Sequence, residues 1–90
     1  RYQTLQMKKV VIYSTRICPF CVRAKNFFSK KDIPFEDIMV DQDPEQLKTM
    51  MEKSQRQSVP QIFIGDYHVG GFDDLIEHDM DGKLEKLLED

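Results

Sequence analysis

Ser14-Thr15-Arg16-Ile17-Cys18-Pro19-Phe20-Cys21 holds both cysteines of the 90-residue chain, and it directly follows the apolar run Val10-Val11-Ile12-Tyr13. A run of consecutive apolar residues predicts a strand buried on both faces. After the cysteines, Val22, Ala24, Phe27 and Phe28 recur at helical spacing through Lys31, with Arg23, Lys25 and Lys30 on the other side. The pair therefore stands where a strand turns into a helix, and Cys-x-x-Cys at that junction of a small α/β chain reads as a redox motif. A helix start offers unpaired amides and the positive end of the macrodipole. Sulfur placed there is favoured as thiolate, the form that attacks disulfides. Pro19 has no N–H to leave unpaired and a φ suited to the first helical position. Cys18 is thus expected at the cap and Cys21 one turn in.

That placement divides the work. A free thiol with a pKa of about 8.5 is only roughly 3% ionised at pH 7, and helix starts raise that fraction up to about thirtyfold. Cys18, at the open end, is the candidate nucleophile; Cys21, more covered, is the candidate resolving thiol. Three plainer readings compete. A structural disulfide closing so short a loop stabilises little. Zinc needs four ligands, and His68 and His78 lie at no zinc-like spacing from the pair. Two inert buried cysteines are the third reading.

Composition narrows the rest. Hydrophobic residues make up 40% of the chain, with six Phe and three Tyr, enough for one core in one domain. A formal net charge of −3, with no basic run interleaved with aromatics, argues against a nucleic-acid binder. The longest apolar run is far too short to span a membrane, and no signal-peptide core is visible. A lone cysteine pair fits a reducing compartment, so the cytoplasm is expected. Arg1–Gln6 is polar and aperiodic, whereas Met7-Lys8-Lys9 looks like a native beginning. Residues 1–6 are accordingly expected to be an artificial remnant or processed extension, and residues 7–90 the single domain.

The remaining elements follow in order. Asp32-Ile33-Pro34 ends the first helix, because a residue before proline is pushed out of the α region. Phe35–Val40 is a second strand. Asp41 or Asp43 caps a second helix with Pro44 at its first position. Its apolar face is Leu47, Met50 and Met51, methionines that serve as core filler. Ser54–Ser58 reads as a loop. Gln61–Ile64 is a third strand, started by Val59-Pro60. Gly65-Asp66 signals a two-residue hairpin to a fourth strand, Tyr67–Val69. Gly70-Gly71 ends that strand, and Phe72–His78 is a short helix with Asp73 and Asp74 in its first turn. Beyond Gly82, Leu84, Leu87 and Leu88 mark a last helix. The order is β-α-β-α-β-β-α-α, with no internal repeat or second domain.

With these pieces in place, the chain from about Met7 onward resembles a dithiol glutaredoxin of the small bacterial type. The resemblance rests on Cys18-Pro19-Phe20-Cys21, Ser58-Val59-Pro60-Gln61-Ile62-Phe63-Ile64, Gly70-Gly71-Phe72-Asp73-Asp74 and the element order. It implies an α/β thioredoxin fold, a four-stranded mixed sheet flanked by helices, with a cis bond before Pro60. It implies a glutathione-dependent thiol–disulfide oxidoreductase, with glutathione as co-substrate and no metal. Partners would be glutathionylated or disulfide-containing proteins, ribonucleotide reductase among the candidates, with the enzyme a monomer.

The resemblance also assigns residues. Val59 would offer its backbone N–H and C=O to the cysteinyl part of glutathione, beside Pro60. Phe72 and Asp73 would hold the γ-glutamyl carboxylate through backbone amides, a use of helix starts that anions invite. Gly71 would let the backbone approach, and the Asp74 carboxylate would pair with the α-amino group. Pro19 and Phe20 would wall the site, with Phe20 where many relatives carry tyrosine. Many relatives also have lysine three residues before the first cysteine. Here that position is Thr15, leaving Thr15, Arg16, Arg56 or Gln57 to meet the glycyl carboxylate. Two other functions compete: an electron donor of the same fold reduced by thioredoxin reductase, and a carrier whose protomers share an iron–sulfur cluster with bound glutathione. Pro19 disfavours the carrier, since relatives that do this often lack proline there.

Overall fold

The computed structural model describes residues 8–88; the expectations for Arg1–Gln6 and Met7 fall outside them. Strand β1 (Val10–Ser14) leads to α1 (Pro19–Lys30), followed by β2 (Glu36–Met39), α2 (Pro44–Ser54), β3 (Gln61–Ile64), β4 (Tyr67–Gly70), α3 (Phe72–Met80) and α4 (Lys83–Leu88). The sheet order is β2-β1-β3-β4, with β1 parallel to β2 and antiparallel to β3, and β3 antiparallel to β4. This is the thioredoxin fold in the expected element order.

Alternation along the two central strands splits the core in two. Val10, Ile12, Ile62 and Ile64 face α1, α3 and α4, where they pack with Ala24, Phe28, Leu75, Leu84 and Leu88. Val11, Tyr13 and Phe63 face α2, where they meet Leu47, Met50 and Met51. The consecutive apolar residues of β1 thus serve two layers. No helix among the described residues is long and apolar enough to cross a membrane.

Several boundaries differ from the sequence reading. Val22 is 51% exposed, because the buried stripe of α1 runs Cys21, Ala24, Phe28. Lys31 caps α1 instead of extending it. The Asp32 amide then donates to the Ser29 carbonyl and the Ile33 amide to the Phe28 carbonyl, with Asp32 at φ 58°. That is the paired-carbonyl closure that left-handed residues provide, with Ile33 and Phe28 together in the core. Asp43, rather than Asp41, caps α2, accepting from the Glu45 and Gln46 amides. Asp41 instead accepts from Arg16. Ser54 belongs to α2 and not to the loop, its buried hydroxyl donating to the Met50 carbonyl. The helix expected to end at His78 continues to Met80.

Candidate active site

Cys18 is the N-cap of α1, and Pro19 is its first helical residue. The Cys21 amide donates to Cys18 Sγ at 3.2 Å, as a cap acceptor requires. The Cys18 thiol points at the Val59 carbonyl oxygen, 3.9 Å away. Cys18 is half-buried and Cys21 fully buried, both as free thiols. Burial foremost, and then the hydrogen bond with Cys18, push the Cys21 thiol up to about 12. A backbone hydrogen bond from Thr15 and the charge of Lys25 oppose this. One thiol is therefore open at a helix start and the other is held protonated beneath it, as the division between nucleophile and resolving thiol requires.

Three segments distant in sequence meet around Cys18. The first is the start of α1, where the half-exposed Phe20 ring lies 6.2 Å from that of Phe72 and under the Arg23 guanidinium at 5.3 Å. The second is the loop into β3, where the Val59–Pro60 peptide bond is cis. The third is the start of α3. A Cβ built on Gly71 would stand 3.6 Å from the Pro60 carbonyl, so loop and helix start run side by side. Asp74 reaches back to accept from the Gly71 amide at 3.0 Å and pairs with Arg56 at 3.1 Å. The Gly71 hydrogen bond first, then Arg56, hold the Asp74 carboxyl below the usual carboxylate range. Asp73 is exposed beside it.

The remaining candidates divide. Arg16 is drawn to Asp41, its backbone N–H and Nε both donating to Oδ2. Arg56 is drawn to Asp74. The Thr15 hydroxyl makes a long contact of 3.5 Å with the Ile17 carbonyl. Gln57 is exposed.

Sequence reasoning passed over a polar chain beside the Ser58–Val59 loop. Gln61 is fully buried; its Nε2 donates to the Ser58 carbonyl at 3.0 Å and to the Ser58 hydroxyl at 3.3 Å. Its Oε1 lies 2.7 Å from His68 Nε2. The signal was present as a lone glutamine opening an otherwise apolar strand. Across the Gly65-Asp66 turn, Gln61 and His68 are diagonal neighbours, within reach for long side chains.

The comparisons agree with one another. A family description, Glutaredoxin, matches residues 10–69. The glutaredoxin of Pseudomonas aeruginosa is 45% identical over 82 residues, covering 91% of this chain and 98% of that protein. The solution structure of a Brucella melitensis glutaredoxin matches with TM-score 0.81 and 44% identity, covering 93% of this chain and 91% of that one. A buckwheat glutaredoxin solved as a complex with glutathione also matches at TM-score 0.81, with 29% identity over 96% of this chain and 81% of that one.

Proposed function

Since this chain belongs to the glutaredoxin family and is a thiol–disulfide oxidoreductase, we propose that glutathione is its co-substrate and that glutathionylated proteins and protein disulfides are what it reduces. The observation that carries the reading is the convergence on Cys18 of the Val59 backbone edge and the start of α3. A strand-like edge suits the cysteinyl part of a short peptide, since backbone pairs hold it without choosing a side chain. The α3 start suits the γ-glutamyl carboxylate at the Phe72 and Asp73 amides. Asp74, kept ionised by Gly71 and Arg56, suits the α-ammonium. The buckwheat complex supports the same partner. An open setting, with Ile17 92% exposed beside Cys18, suits a substrate as large as a protein. The reducing cytoplasm is the compartment that keeps such a pair working.

The reaction follows from the two sulfurs. Cys18 thiolate attacks the glutathione sulfur of a mixed disulfide; the protein thiolate leaves and takes a proton. A second glutathione thiolate attacks the glutathione sulfur now bonded to Cys18, releasing Cys18 thiolate and oxidised glutathione. With a protein disulfide, Cys18 forms the mixed disulfide and Cys21 then attacks the Cys18 sulfur. The reduced protein leaves with two electrons, Cys18–Cys21 is left oxidised, and two glutathione molecules restore it. Cys21 must lose its proton to act. Once Cys18 is in a disulfide its negative charge is gone, and with it part of what holds the Cys21 thiol up.

The test is turnover of a glutathionylated peptide coupled to glutathione, glutathione reductase and NADPH. Cys18→Ser should fall to background, while Cys21→Ser should keep peptide turnover within a few-fold and lose reduction of a protein disulfide. Turnover retained in Cys18→Ser would sink the assignment. Turnover supported by thioredoxin reductase and not by glutathione would move the chain to the rival electron-donor reading.

A further inference from the structure

The chain His68–Gln61–Ser58 ends one residue from Val59, the backbone that faces the nucleophile, and nothing in the reaction above uses it. Gln61 is fully buried, so its amide orientation is fixed by its partners. Nε2 donates to Ser58 twice, which leaves Oε1 as the acceptor and makes His68 Nε2–H the donor. At 2.7 Å this is a short contact for an N–H···O bond. The imidazole is itself held: it stacks on the Phe63 ring at 4.8 Å, and the Gly65-Asp66 turn sets it opposite Phe63, one pair in from Ile64 and Tyr67. Without His68 the Gln61 carbonyl would be a buried acceptor with no partner, a state that favours reorienting the amide and releasing Ser58.

We propose that His68 is a positioning residue for the disulfide-exchange reaction: through Gln61 it fixes the Ser58–Val59 backbone at the distance from Cys18 at which glutathione docks. The inference deepens the glutathione reading and rests on it for its kinetic consequence. Its structural core stands apart, since the relay holds the Ser58–Val59 backbone whatever ligand comes to it. A hydrogen-bond donor at position 68 is the requirement, not an imidazole. Glutamine can supply one from its amide; leucine fills similar space and cannot.

Two measurements decide it. In ¹⁵N relaxation of the reduced protein, His68→Leu should drop the order parameters of Ser58 and Val59 from the rigid range of about 0.85 to below about 0.6, leaving β1 and α1 unchanged. His68→Gln should stay near wild type. In turnover of the glutathionylated peptide, His68→Leu should raise KM by about 5- to 10-fold, close to the 1.4 kcal/mol that a tenfold change represents. Its kcat, and the alkylation rate of Cys18 by iodoacetamide, should stay within about twofold, because a single lost positioning contact removes binding and not chemistry. His68→Gln should recover the KM. A rigid Ser58–Val59 in folded His68→Leu overturns the proposal, as does failure of His68→Gln to restore rigidity. An equal fall in kcat, kcat/KM and alkylation would also overturn it, as the mark of general damage. If the wild type fails to turn over the peptide, the glutathione reading falls, and the relaxation comparison alone still decides whether His68 holds the Ser58–Val59 backbone.

Discussion

Two thiols three positions apart on one helix have opposite surroundings. Cys18 is reached from solvent and Cys21 is not, and burial with the Cys18 hydrogen bond keeps Cys21 protonated well into alkaline pH. Native reduced protein treated with iodoacetamide near pH 8 should gain one adduct per chain, at Cys18, by intact mass and peptide mapping. A second should appear only on unfolding. Two adducts forming at similar rates would show that Cys21 is not shielded. The contrast was legible in the sequence because it is local: cap, proline and first turn lie within four residues. The Arg56–Asp74 pair and the His68–Gln61–Ser58 relay were not, because loops and a hairpin bring their members together. For Asp74 the sequence offered a helix-start acid, and only the fold shows it answering both Gly71 and Arg56.

At the scale of the element, the passage from β4 into α3 leaves no room for a side chain at Gly70. Gly70 has φ +116°, and a Cβ there would stand 2.8 Å from Asp74 Cγ and collide with its Oδ2. A side chain at this position is opposed both by backbone conformation and by the carboxylate that caps Gly71. Gly82 has φ +77° with nothing within 4 Å of a built Cβ, so it carries the conformational cost alone. Gly70→Ala should lose on the order of 2 kcal/mol or more, and Gly82→Ala about 1 kcal/mol, in urea unfolding. Gly70→Ala should also raise KM for the glutathionylated peptide, as Asp74 is pushed aside. Equal losses from the two variants would remove the argument from the Asp74 contact. The Gly70-Gly71 signal in the sequence marked the end of a strand. It did not reveal that the first glycine clears space for a side chain four residues on, because that proximity is created by the turn itself.

For the whole molecule, three of the shifted groups, those at or beside the site, set a window of stability against pH. His68 is held below its ordinary value by burial first and by Arg56, with Asp74 opposing. Below about pH 6.5 the unfolded chain binds a proton there that the folded chain resists, so stability falls on acidification from that point. Asp74, also depressed, contributes stability that is present above about pH 3.9 and is lost as pH falls through its folded value. Cys21 is raised from 9.0 to about 12, so its contribution is full below pH 9.0 and lost as pH rises towards 12. Melting temperature should therefore be flat between about pH 6.5 and 9. His68→Gln should lack the shoulder near pH 6.5, and Cys21→Ala should flatten the alkaline limb. A wild-type profile that keeps rising from pH 9 to 11 would contradict the Cys21 shift.

The sheet order carries a consequence in time. β1 is made first yet lies second in the sheet, and its antiparallel neighbour β3 ends at Ile64, about forty residues beyond Cys21. At a synthesis rate of about 5–20 residues per second, several seconds pass before that neighbour exists. In that interval Cys18 has no Val59 carbonyl opposite it, and β1 lacks its antiparallel neighbour. The backbone edge that faces Cys18 thus arrives well after the nucleophile itself, and a fragment ending before residue 59 should lack it.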